Sequence, residues 1–298
     1  MRKRKNGTVH SQASGSLVII GGAEDRKDHM EILREVANRV GSGKLVVSTV
    51  ASEFPKELWE EYRNAFKKLG VKKLAHFHVA SHQDARHEKS ISVFDGATAV
   101  FFSGGDQLKI TTRIGGTAIA DKLFDIYEEG GMIAGTSAGA SMMGESMLLG
   151  KQDVESHKIG NWMMAPGLGL LKEMVIDQHF AQRERIGRLL GAIALNPGVL
   201  GIGIDEDTAI VVEGKEFNVT GSNAVYVIDG RGVSYSNATE ADGDKTMSMH
   251  DVRLHVLSPG QGFDLETRRP SSRTEPTRHT PKSVKRERER MVGSEIGL

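Results

Sequence analysis

The stretch Ile133–Met143, "IAGTSAGASMM", ends an apolar run and passes through two glycines four residues apart into small and apolar residues. A buried strand handed to a helix through a glycine-flanked turn is the repeating unit of α/β folds. Comparable runs lie on both sides of it: "SLVIIGG" (16–22), "KLVVSTVAS" (44–52), "LAHFHVAS" (74–81), "ATAVFFSGG" (97–105) and "GMIAGTSAG" (131–139). None alternates cleanly between apolar and polar, which predicts strands buried on both faces of a parallel sheet. Between them stand amphipathic helical patterns. "DHMEILREVANRVG" (28–41) sets Met30, Leu33, Val36, Ala37 and Val40 at 3/4 spacing behind Asp28 as a cap. "PKELWEEYRNAFKKLG" (55–70) does the same with Leu58, Tyr62, Ala65, Phe66 and Leu69, and "GGTAIADKLFDIYEEGG" (115–131) repeats the design. A doubly wound sheet follows, with ligands expected at the carboxyl ends of its strands.

After about residue 196 the texture turns to β-rich runs with turn signals: "VLGIGIDEDTAIVVEG", "NAVYVIDG" and "VRLHVLSPG". These read as an antiparallel or mixed extension of the same domain. The expected organisation is a disordered basic head (1–15), one large α/β domain (16–266) and a disordered basic tail (267–298) rich in Pro, Ser and Arg. Residues 1–16 carry four positive charges and 267–298 a net five, so a formal net charge of zero leaves about −9 on the body. An acidic body argues against a nucleic-acid groove. The absence of cysteine excludes disulfides, thiolate catalysis and cysteine-held metals. No apolar run follows the basic start and none reaches ~18–20 residues, so neither a secretory signal nor a membrane span is expected, and the protein is read as cytoplasmic.

"GTSAG" (135–139) fits the G-x-S-x-G elbow, in which a sharp strand-to-helix turn projects a serine hydroxyl. Ser137 is thus the candidate nucleophile, with the Ala138 N–H and the dipole of the following helix facing a developing oxyanion. A base is needed within hydrogen-bond reach. Among eleven histidines, His179 stands at an element junction among polar residues in "VIDQHFAQRERIGRLL" (175–190). His76 and His78 share one strand face but lack an evident third ligand, so no metal site is assigned. Arg183, Arg185 and Arg188 follow His179 without forming one helical stripe: at ~100° per residue Arg183 flanks the apolar face and Arg188 lies nearly opposite it. Guanidinium forks near such a junction suit carboxylates on a substrate. For the orienting acid, "GIGIDEDTAIVV" (201–212) offers Asp205, Glu206 and Asp207; strand alternation sets Glu206 apart without selecting it.

Taken in order, "GGAED" (21–25), "SGGDQ" (103–107), "GTSAGA" (135–140), "DQHF" (177–180) with "RERIGR" after it, and "GIGIDEDTA" (201–209) resemble the cyanophycinase family of serine peptidases, which includes bacterial aspartyl dipeptidase. The resemblance spans roughly 16–267. It implies a three-layer α/β/α sandwich with a mostly parallel central sheet, class I glutamine amidotransferase-like, in a homodimer. It implies Ser137, His179 and Glu206 as nucleophile, base and orienting acid, and Gly105 and Ala138 as oxyanion donors. Gln107, Asp177, Gln178, Arg183, Arg185 and Arg188 would select the substrate, Asp177 meeting a guanidinium. That substrate is cyanophycin, poly-aspartate with an arginine isopeptide-linked to each side chain, cut in its backbone to β-Asp-Arg dipeptides. No metal or organic cofactor, nucleic acid or membrane is implied. The order Ser…His…Glu departs from the Ser…Asp/Glu…His of α/β-hydrolases, which counts against an ordinary esterase. The alternatives carried forward are an aspartyl or isoaspartyl dipeptidase of the same family and a non-catalytic binding module on the same scaffold.

Overall fold

A computed structural model of the chain describes residues 15–149, 163–240 and 245–271. Five strands, β1 (Ser16–Ile20), β2 (Lys44–Ser48), β3 (Lys73–Phe77), β4 (Ala99–Phe102) and β5 (Met132–Thr136), pair in parallel in the order β1-β5-β4-β2-β3. The helices α1 (Glu31–Val40) and α2 (Pro55–Lys68) carry the chain from β1 to β2 and on to β3. After β3 the chain reverses direction along the sheet. It returns through α3 (Glu88–Ser92) to β4, and through α4 (Gln107–Ile114) and α5 (Ala118–Glu128) to β5. Right-handed crossovers then require the two sets of helices to lie on opposite faces. Packing shows this. Val18, Ile20, Val47 and Phe101 meet Leu33 and Val36 of α1 and Tyr62 and Phe66 of α2 in one core. Leu17, Ile19, Val46 and Phe102 meet Ile110, Ile114, Ile119 and Leu123 in the other.

α1 is not capped by Asp28, the residue its sequence suggests. Asp25 sits further back and its carboxylate accepts from the backbone N–H groups of Lys27, Asp28, His29 and Met30. Those four bonds hold the Asp25 carboxyl far below the usual carboxylate range.

α6 (Ala138–Ser141) follows β5, and β6 (Ser146–Leu149) pairs with β7 (Met163–Pro166). The remaining chain extends the domain in two ways. β8 (Met174–Gln178), β9 (Leu200–Ile204), β12 (Val225–Asp229) and β15 (Arg253–Leu257) make a second sheet, mixed in direction, in the order β15-β12-β9-β8. One face of it packs into the core below α4 and α5, and α7 (Ile186–Leu195) covers the other with Leu189 and Ile193. The strands β10 (Thr208–Glu213), β11 (Glu216–Gly221), β16 (Gly262–Asp264) and β17 (Arg269–Ser271) continue the main sheet beyond β1, all antiparallel. A ribbon of β13 (Tyr235–Ser236) and β14 (Met249–His250) completes the described strands.

The nine-stranded sheet is therefore parallel from β3 to β1 and antiparallel from β1 to β17, in agreement with the parallel sheet and its antiparallel or mixed extension read from the sequence. Short turns between β10 and β11 and between β16 and β17 leave no room for crossover helices. The head and tail expectations fall mainly on 1–14 and 272–298, outside the described residues. Gly15 and 267–271, which composition groups with them, belong to the fold. The Gly15 N–H donates to Tyr127 O at 2.7 Å, and β17 pairs with β16.

Candidate active site

β1 exits toward α1 on one face and β5 toward α6 on the other, so their carboxyl ends flank a switch point, where open α/β sheets form a crevice. Ser137 stands there. Its backbone is left-handed at φ 51°, ψ −109°, and its N–H donates to Ile20 O at 3.0 Å. The glycines on either side are sterically required. A Cβ on Gly135 would lie 2.3 Å from Gly139 O, and one on Gly139 would lie 2.4 Å from Phe102 O. α6 runs only four residues, so individual N–H groups rather than a long macrodipole face the crevice. Ala138, first in that helix, has an N–H with no intrahelical acceptor.

His179 follows β8 and also has a positive φ, 49°. Its N–H donates to Gly21 O at 2.8 Å. The imidazole Nε2 lies 2.9 Å from Ser137 Oγ and Nδ1 lies 2.7 Å from Glu206 Oε1. A carboxylate only accepts, so Nδ1 carries the proton and the Nε2 lone pair faces the serine hydroxyl. Burial holds the imidazole below its usual range. The Glu206 hydrogen bond pulls it back up, and the Arg183 charge pushes it down again. The ring is backed by Gly22 at φ +104°, where a Cβ would fall 2.3 Å from Cε1.

The three acids after β9 have separate jobs. Asp205 accepts from the Ala181 and Ala224 N–H groups at 2.9 and 3.3 Å. Asp207 accepts from the Asp25 N–H at 2.9 Å and from Ser222 Oγ at 2.6 Å. Both outer carboxylates tie loops together, and Glu206 is the one turned to His179. Its own N–H is held by Gln182 Oε1 at 3.1 Å.

Gly105 lies in the loop after β4, at φ +138°, where a Cβ would strike Ala51 O at 2.2 Å. The neighbouring Gly104 abuts the turn at Ser137, its ideal Cβ position 3.5 Å from Ser137 Cβ. Gln107, half-buried at the start of α4, donates through Nε2 to Leu148 O at 2.7 Å.

The remaining residues expected to select substrate are arranged differently from the expectation. Asp177 is fully buried, and its carboxylate is taken by the chain's own arginines. Arg188 binds it through Nε and Nη2 at 2.7 and 2.5 Å, and Arg185 through Nη1 at 3.2 Å. Arg185, itself buried, also donates to Gln178 O and Oε1, and burial draws its guanidinium down to about 10. Gln178 Nε2 donates to Ser141 Oγ at 2.9 Å. In this structure, then, Asp177 meets internal guanidinium groups rather than an open pocket. Of the three arginines only Arg183 is exposed. The helical phase read from sequence fails because the chain takes a 3-10 turn at Ala181–Arg183 and a left-handed step at Glu184 before α7 begins.

His76 and His78 are occupied elsewhere. His76 Nε2 bonds Thr49 Oγ1 at 2.8 Å and its ring stacks on Trp59, while His78 Nδ1 lies 3.1 Å from Thr49 O. Among the described residues no three His, Asp or Glu side chains cluster as a metal site, and no helix is long and apolar enough to cross a membrane. Sequence reasoning gave no role to Gly22, Glu24 or Asp25, although "GGAED" was in view. Two glycines ahead of two acids at a strand exit were the available signal.

A model of peptidase family S51 matches residues 17–220. The chain is 34% identical over 262 residues to a cyanophycinase of Synechococcus elongatus, covering 87% of this chain and 81% of that protein. It is 33% identical over 259 residues to a cyanophycinase of Geminocystis herdmanii (strain PCC 6308), covering 86% and 95%. Among solved structures it is similar to a peptidase from an acI-B1 Actinobacterium, with a TM-score of 0.63 at 21% identity over 85% of this chain and 97% of that one. At that identity the likeness concerns the fold.

Proposed function

This chain belongs to peptidase family S51, and from that premise we propose that it is a cyanophycinase: a serine exopeptidase that cuts the aspartate backbone of cyanophycin and releases β-Asp-Arg dipeptides. Supporting the reading is one unbroken hydrogen-bonded line, Ser137 Oγ to His179 Nε2 at 2.9 Å and His179 Nδ1 to Glu206 Oε1 at 2.7 Å, set at the switch point of the sheet. The cyanophycinases similar over most of the chain supply the substrate class.

The chemistry is acyl transfer. His179, neutral because burial disfavours its charged form, takes the Ser137 proton as Oγ attacks an aspartyl carbonyl. Negative charge then develops on the carbonyl oxygen, and the Gly105 and Ala138 N–H groups are its proposed donors; losing one such donor costs ~10²–10³ in rate. His179, its charge stabilised by Glu206, returns the proton to the leaving amine. Water then hydrolyses the acyl-enzyme by the same base. Arg183, whose charge reaches His179, and Gln107 are the proposed substrate contacts, while Asp177, Gln178, Arg185 and Arg188, bonded to one another, brace the segment that carries His179. No metal or organic cofactor enters the scheme. A cytoplasmic homodimer completes the proposal, on the strength of the family resemblance and the cysteine-free composition.

A second reading, a dipeptidase for small aspartyl or isoaspartyl peptides, is favoured by the internal pairing of Arg185 and Arg188 with Asp177. That pairing removes two of the three cations expected to grip a polymer. Incubating the protein and a Ser137→Ala control with insoluble cyanophycin, and identifying products by mass spectrometry, decides between them. β-Asp-Arg from the wild type alone is the expected result. Intact polymer with hydrolysis of small aspartyl dipeptides moves the assignment to the second reading, and turnover of neither points to a binding module.

A further inference from the structure

The exit of β1, residues 21–25, has no part in the proposed reaction, yet it contacts the segments that carry Ser137, His179 and Glu206. Gly21 O accepts from the His179 N–H at 2.8 Å, and Gly22 O accepts from the N–H of Asp207, beside Glu206, at 2.9 Å. Just before it, Ile20 O accepts the Ser137 N–H. Within this loop Glu24 is buried, 4% exposed. Its Oε1 accepts from Tyr62 Oη and its Oε2 from Thr136 Oγ1, both at 2.5 Å. No Lys, Arg or His side chain among the described residues forms an ion pair with it.

A carboxylate kept dry on two neutral hydroxyls is costly to maintain, and an apolar side chain would pack the same space with less penalty. The location gives a reason to keep it. Thr136 is the last residue of β5, and the next residue is Ser137 in its left-handed conformation. Such a backbone persists only where its surroundings over-determine it. Ile20 O fixes the main chain at Ser137, and Glu24 fixes the side chain immediately before it.

We propose that Glu24 is a positioning residue for Ser137: its hydrogen bond from Thr136 Oγ1 locks the end of β5 and so sets the direction in which Ser137 Oγ leaves the turn toward His179. The proposal rests on the reading of Ser137 as the nucleophile. A carboxylate suits the task because two hydroxyl donors converge on it and each needs an acceptor oxygen. A glutamine of equal size presents one oxygen and one N–H₂, so one of the two hydroxyls must turn from donor to acceptor and the two ties no longer both end on an acceptor oxygen.

The test is active-site titration with a serine-directed phosphonate, followed by kcat and KM per titrated site on the peptide substrate. Labelling of wild-type Ser137 is the first arm; its absence overturns the nucleophile reading and the clamp with it. Given labelling, Glu24→Gln is expected to lower kcat per titrated site by about 10- to 100-fold, the scale of a misplacement near 1 Å, with KM changed by less than about twofold and phosphonate inactivation slowed in parallel. Thr136→Val should reproduce the loss, Thr136→Ser should retain activity, and Glu24→Gln should add little in the Thr136→Val background. Tyr62→Phe cuts the other arm and should lower Tm while leaving kcat per site in place. Fewer titratable sites with unchanged kcat per site in Glu24→Gln would show a merely structural residue. An equal kcat loss in Tyr62→Phe would overturn the route through Thr136.

Discussion

At His179 three influences meet: burial lowers the imidazole's affinity for a proton, the Glu206 hydrogen bond raises it, and the Arg183 guanidinium lowers it again. The net effect is downward, so the neutral base persists below the ordinary imidazole value near 6.5. The acid limb of kcat/KM should therefore lie below that pH. Removing the Arg183 charge takes away a lowering influence, so Arg183→Gln should move the limb to higher pH; a profile that stays in place would deny Arg183 this role. Ser137 allows a second prediction. Relief of its φ of 51° by glycine is worth roughly 1–3 kcal/mol, against roughly 0.5–1 for glycine's extra unfolded-state freedom. Ser137→Gly should thus gain on the order of 1 kcal/mol in urea unfolding while losing all turnover. Ser137 was legible because its glycines are spaced for the turn. Glu206 was not singled out by its neighbours, since Asp205 and Asp207 differ from it only in partners contributed by distant loops. Glu24 was silent for the same reason: its hydroxyl donors, Tyr62 and Thr136, are remote in the chain.

Among the elements, the five parallel strands and the helices α1, α2 and α5 followed from glycine-bounded apolar runs and 3/4 spacing, because local pattern and tertiary packing agree there; the shorter α3 and α4 gave no such pattern. The segment after His179 did not follow either, because buried ion pairing overrides its amphipathic phase. Arg185 faces inward before α7 starts, and Arg188 bends to Asp177. Cutting this pair from one side leaves buried cations unmatched. Asp177→Asn should cost about 3–5 kcal/mol, the usual scale for an orphaned buried charge, measured as a lower urea midpoint with an unchanged m-value. A cost below about 1 kcal/mol would mean that water reaches the arginines freely.

Across the whole molecule, the last described strand is bound to the second sheet through Arg268. Buried at 6% exposure, it donates to Asp229 Oδ1 at 2.9 Å and to Gly198 O at 2.6 Å, tying the approach to β17 to the second sheet. Ending the chain after Glu266 removes that side chain and β17; Asp229 keeps the Arg231 N–H at 3.1 Å and the longer approaches of the Arg231 and Arg253 side chains at 3.4 and 3.8 Å. A loss of about 3 kcal/mol is expected, read as a lower Tm. Composition placed this boundary too early because the Arg- and Pro-rich texture begins before the last strand ends. The switch point has a different consequence, in time rather than space. In the proposed scheme Ser137 is translated before His179, and His179 before Glu206, so the line from Ser137 Oγ to Glu206 Oε1 can close only after both later segments have been made. An enzyme built in this order would gain its hydrolytic competence late in translation.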